Sequence, residues 1–70
     1  MSNGRVYRVT EVVGTSEESI EDAIRTAVRR ASKTVRNLDW FEVEETRGQL
    51  RDGEVAYFQV TLRLGFRLDD

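Results

Sequence analysis

Seventy residues, with 11 Lys and Arg against 13 Asp and Glu and a net charge of −2, make one small domain without the basic excess of a nucleic-acid binder. No cysteine is present to staple it, and no histidine to act as general base or metal ligand. No apolar run reaches the length of a signal peptide or membrane span, so the expectation is a soluble, cytoplasmic protein with no membrane or nucleic-acid partner. Domains this small are usually marginally stable, and the staple left to this one is oligomerisation.

Val6 to Val13 alternates, with Val6, Arg8, Thr10 and Val12 on one side and Tyr7, Val9, Glu11 and Val13 on the other. β-Branched residues dominate, which predicts a first strand whose two faces are both partly covered. Gly14-Thr15-Ser16-Glu17-Glu18 then reads as the turn into a helix, with Thr15 or Ser16 as N-cap and Thr15 with Glu18 as a capping box.

The helix is predicted over 16–37. Ile20, Ala23, Ile24, Ala27, Val28, Ala31 and Val35 recur at spacings of three and four, and Leu38 continues the stripe. Such a helix is a rod of roughly 30 Å, dry on one side. Glu17, Glu18, Glu21 and Asp22 lie toward its positive end, and Arg29, Arg30, Lys33 and Arg36 toward its negative end. That basic cluster reads either as dipole complementation on a solvated face or as an anion contact at an interface.

A second strand is predicted from Trp40 to about Leu50, and a third from Glu54 to Leu68. Asp52-Gly53 between them signals a tight hairpin, since a type I′ turn takes positive φ at both central residues. Phe58, Val60, Leu62, Leu64, Phe66 and Leu68 share one face of the third strand and belong on the helix stripe; Tyr57, Gln59, Thr61, Arg63, Gly65 and Arg67 share the other. The fold class is α+β: β-α-β-β, a three-stranded antiparallel sheet wrapped around one long helix. The third strand spans about 50 Å, too long for the helix to cover. Long uncovered strands carry unpaired edges, which a symmetric oligomer removes.

A two-residue turn at Asp52-Gly53 sets Phe41 opposite Leu64, Val43 opposite Leu62, Glu42 opposite Arg63, Trp40 opposite Gly65 and Thr46 opposite Gln59. Trp40, the single tryptophan, thus faces a residue with no side chain. That arrangement suits a flat aromatic ligand beside the indole; the plainer alternative is that the indole itself fills the space over Gly65 or packs into an interface. Gln59, a planar donor and acceptor, reads as a partner for the edge of a heteroaromatic ring or as a solvated side chain. It lies six residues from Gly65, about 20 Å along the strand. If one small ring meets both Trp40 and Gln59, they come from different subunits.

Gly14-Thr15-Ser16, Leu38-Asp39-Trp40-Phe41-Glu42-Val43, Arg47-Gly48, Phe58-Gln59-Val60 and Gly65-Phe66-Arg67-Leu68, in this order, resemble the dodecins over nearly the whole chain. The resemblance implies a sheet that wraps its helix and a hollow homododecamer. It implies flavin held in stacked pairs between symmetry-related tryptophans, here Trp40, with Gln59 bonding the polar edge of the isoalloxazine. FMN is the flavin it favours, with riboflavin or FAD as other occupants. Arg47 and Arg67 would lie near the ring or the ribityl-phosphate tail, and Asp39 joins the set through its motif. Coenzyme A at a subunit junction is a further implied ligand, with Arg30, Lys33, Thr34 and Arg36 as candidates. The function implied is flavin storage and sequestration with photochemical quenching by the indole, without catalytic turnover. The alternatives are a small flavin-dependent electron-transfer enzyme and a ligand-free oligomeric structural module.

Overall fold

The computed structural model describes residues 4–69. The elements follow in the predicted order: β1 (Tyr7–Ser16), α1 (Ile20–Ala31), β2 (Leu38–Arg51) and β3 (Glu54–Arg67). They form one three-stranded antiparallel sheet with β3 in the centre, between β1 and β2. Asp52 and Gly53 both have positive φ, 51° and 79°, as the tight hairpin turn requires. Among the described residues no helix is long and apolar enough to cross a membrane.

β1 runs further than its sequence suggests, through Gly14 to Ser16. Gly14 is a packing position within the strand. A Cβ there would sit 2.5 Å from the carbonyl oxygen of Ala23 and 2.8 Å from the Cβ of Ala27. The glycine and the two buried alanines let α1 press closely onto β1. Ser16, buried at the strand end, donates to Asp22 Oδ2 at 2.7 Å and accepts from the Glu18 amide at 2.9 Å. This ties the last residue of β1 to the first turn of the helix.

The helix is shorter than the periodicity predicts: 12 residues, about 18 Å. Its N-cap is Ser19, whose hydroxyl accepts from the Asp22 amide at 3.0 Å, so the cap falls neither at Thr15 nor at Ser16 and the Thr15–Glu18 capping box does not form. The early stop has a local cause. The Ser32 hydroxyl donates to the Arg29 carbonyl at 2.8 Å, and the chain tightens into i to i+3 turns, Lys33 to Arg30 and Thr34 to Ala31. Such side chains compete with the helical ladder for its carbonyls. Asn37 closes the passage in the left-handed region, with φ 65°, where asparagine is tolerated better than most residues. Its Nδ2 donates to the Arg67 carbonyl and to Asp69 Oδ1, and its own carbonyl accepts from the Arg67 amide. The start of β2, and with it Trp40, is thereby fixed to the end of β3.

The helix lies over β1 and β3. Ala23, Ala27, Val60, Leu62 and Leu64 form the buried core, flanked by Val12, Ile24, Val28, Ala31 and Leu38. The inner face of β2 stays open, with Phe41 51 % and Val43 42 % exposed. Beyond the helix the hairpin projects unsupported, and Leu50 and Val55, paired across its tip, are both exposed. The molecule measures 59 × 20 × 14 Å, an elongated ribbon with a helix on part of one side.

Candidate functional site

The face of the sheet turned away from the helix carries the candidate site. The expected register holds at its base: Trp40 opposes Gly65, Phe41 opposes Leu64, Glu42 opposes Arg63 and Val43 opposes Leu62. Between a bulge at Val43/Glu45 and a second irregularity at Gln49/Leu50, the pairing is shifted by one residue, and it returns to the expected register at the hairpin tip. Gln59 therefore pairs with Arg47 and not with Thr46, which opposes Val60. The bulge also lets Glu42 and Glu44 flank Arg63, each at 3.9 Å. These pairs are half exposed and contribute at most about 1 kcal/mol each.

Two clusters result. At the base, the indole of Trp40 lies over Gly65: a Cβ on that glycine would collide with Cε2, Cζ2 and Cδ2 of the ring. Of the sequence-based readings of this pair, the indole filling the space over the glycine is seen directly within the single chain. It fills that space and still keeps 42 % of its surface exposed, so a flat ligand would meet the outward side of the ring. Tyr7 stands beside it, ring centroids 6.1 Å apart and planes tilted by 54°. The Tyr7 hydroxyl donates to Asp39 Oδ2 at 2.8 Å. Arg67, half-buried, opposes Tyr7 in the ladder and sits two residues beyond Gly65 on the same side of β3. Tyr7 has no place among the residues singled out from sequence, because its partner strand is reached through the helix and no tight turn announces that register.

The second cluster is Gln59 with Arg47 on β2 and Thr15 on β1 as its ladder neighbours. Arg47 reaches Glu45 at 3.6 Å. Six residues of extended chain, roughly 20 Å, separate this cluster from Gly65. One chain therefore does not bring Trp40 and Gln59 to a single ring.

The basic residues after the helix are divided as well. Thr34 and Arg36 border a cleft with Asn37, Phe66 and Arg67, and Arg36 pairs with Asp69 at 3.6 Å. Arg30 borders a different cleft, against Val12, Gly14 and Ala27. Lys33, whose side chain is exposed, lines neither. The structure gives Arg36 and Arg67 a shared surface, which the sequence order alone does not.

The fold and this face define a class: a small β-α-β-β module presenting an exposed indole, backed by glycine, with an arginine two residues further along the same strand face. The dodecin family model matches residues 6–69. The dodecin of Thermus thermophilus is 54 % identical over 67 residues, which span 96 % of this chain and 97 % of that protein. Among solved structures, a dodecin from Streptomyces davaonensis superposes with a TM-score of 0.91 at 59 % identity, covering 99 % of this chain and 100 % of that one. A dodecin from Streptomyces coelicolor gives 0.90 at 61 % identity, with coverage of 100 % and 99 %. The chain belongs to the dodecin family.

Proposed function

We propose that this protein binds and sequesters flavin, FMN first among the flavins, on the outward side of the Trp40 indole in a closed homododecamer. The observation that carries the reading is the 42 %-exposed indole held over Gly65. A large aromatic surface left open on a rigid strand is an unsatisfied stacking platform. An oxidised isoalloxazine is a flat, electron-poor partner for it, and when bound it supplies light absorption and one-electron redox chemistry. The indole, an electron donor in contact with that ring, quenches its excited state.

The other residues take roles by position. Arg67, next to the platform, offers a planar fork of donors that suits a phosphate. Gln59 and Arg47, distant within one chain, act from a neighbouring copy, Gln59 on the polar edge of the ring. The exposed Phe41, Val43, Leu50 and Val55 are the apolar surface such an assembly would bury. Coenzyme A remains a proposed second ligand, with Arg36 and Thr34 the better placed of its candidates because they share a cleft with Arg67. No turnover belongs to this reading, and the bound flavin is expected not to be reduced by a nicotinamide cofactor at a catalytic rate.

The test is a fluorescence titration of FMN with wild-type protein and with Trp40→Ala. The wild type should quench strongly, and the variant should bind at least ten-fold more weakly and leave bound FMN fluorescent while the assembly mass is unchanged. Equal affinity and quenching in the variant would remove Trp40 from the site.

A further inference from the structure

Tyr7 and Asp39 sit on the two outer strands, with β3 between them. Their side chains nonetheless meet across it, Tyr7 hydroxyl to Asp39 Oδ2 at 2.8 Å, within the cluster that holds Trp40. The phenol ring is 6.1 Å from the indole, centroid to centroid. Three groups with complementary redox and proton chemistry are thus in direct sequence: an indole open to solvent, a half-buried phenol beside it, and a carboxylate on the phenol's proton. A phenol gives up an electron readily only when its proton can leave at the same time. A bond that merely closed the end of the sheet could run to any acceptor; this one runs to a base.

We propose that Tyr7 refills Trp40 after one-electron oxidation of the indole, with the Asp39 carboxylate taking the phenolic proton. One electron passes from the Tyr7 ring to the indole radical cation. The Tyr7 O–H bond breaks and its proton moves to Asp39 Oδ2. The products are intact Trp40, a neutral phenoxyl radical on Tyr7 and a protonated Asp39. Where the indole has already lost its N–H proton to water, water returns it in the same step. The oxidant is photoexcited flavin, and in naming it the proposal rests on the flavin-binding reading; any one-electron oxidant reaching the exposed indole serves equally. When the oxidant returns its electron, the phenoxyl is reduced and Asp39 gives the proton back. In the flavin-free protein the transfer moves the oxidising equivalent from an exposed indole, open to irreversible attack by oxygen, to a more sheltered phenol.

The step is measurable on flavin-free protein. With Tyr57→Phe as background, Tyr7 is the remaining tyrosine and Trp40 the single indole. Azide radicals from pulse radiolysis oxidise the indole, and its absorption and that of the phenoxyl are followed separately. Indolyl decay should be first order, independent of protein concentration, and matched by phenoxyl growth. It should slow at least ten-fold in Asp39→Asn, recover in Asp39→Glu and slow in heavy water. Tyr7→Phe should abolish the matched growth. Absence of matched growth in the Tyr57→Phe parent overturns the proposal without reference to any further variant, as does an unchanged indolyl lifetime in Tyr7→Phe. An unaltered rate both in Asp39→Asn and in heavy water overturns the proton transfer to Asp39. Loss of FMN quenching as the assigned function would leave these radical kinetics standing, so the two readings fail separately.

Discussion

Replacing Gly65 by alanine drives a methyl group into the indole of Trp40. Overpacking of this kind costs about 1–3 kcal/mol. The ring is part exposed and must shift to admit the methyl group, so part of the cost appears as lost stacking geometry. Gly65→Ala is expected to lower the melting temperature modestly and to weaken FMN quenching strongly; quenching equal to wild type would show that the indole's seat does not matter. The pairing of Trp40 with Gly65 was legible in the sequence because Asp52-Gly53 announces a tight turn, and the register counted back from it holds at Trp40, the shifts at Gln49/Leu50 and Val43/Glu45 cancelling one another. The partner of Gln59 was not legible. The irregularities at Gln49/Leu50 and Val43/Glu45 carry no sequence mark, and in the stretch between them Arg47 rather than Thr46 stands beside Gln59. On the proposed site, Arg47→Ala and Arg67→Ala should weaken FMN more than riboflavin when titrated in parallel. Equal losses for the two ligands would show that neither guanidinium reads the phosphate.

The helix and its contact with β1 are set by small residues. Gly14 on the strand and Ala23 and Ala27 on the helix allow close approach. Gly14→Val has no space for its side chain and should destabilise the fold by about 3 kcal/mol or more, at the upper end of overpacking costs, because the atom it meets is backbone. Ser19→Ala removes the N-cap acceptor and should cost about 1 kcal/mol in chemical denaturation, whereas Thr15→Ala should cost much less. The reverse order would restore the cap to the place the sequence suggests. The apolar stripe told correctly which helix face is dry. It overstated the length, since periodicity continues through Val35 while Ser32 and Thr34 turn their hydroxyls back on the carbonyls that would extend the helix. Gly14 was misread for a related reason: a glycine before a helix looks like a turn, and only the packed structure reveals the alanines it faces.

At the scale of the whole molecule, a helix of about 18 Å lies on one side of a sheet whose two longer strands have 14 residues, about 47 Å long. Val60, Leu62 and Leu64 are the large fully buried side chains. Truncating one, as in Leu62→Ala, removes about 2–5 kcal/mol, a large share of the stability of a domain this small. The open inner face of β2 and the projecting hairpin are consistent with a chain completed by its neighbours, and the 20 Å gap between Trp40 and Gln59 ties the proposed flavin site to the same assembly. Flavin binding and assembly are read together by titrating FMN fluorescence with the purified protein and determining the solution mass of the same sample. Strong quenching that saturates at one FMN per Trp40, in a particle with the mass of a dodecamer, is the predicted result. A monomer that quenches fully would contradict the shared site, and a large assembly that leaves FMN fluorescent would contradict flavin sequestration.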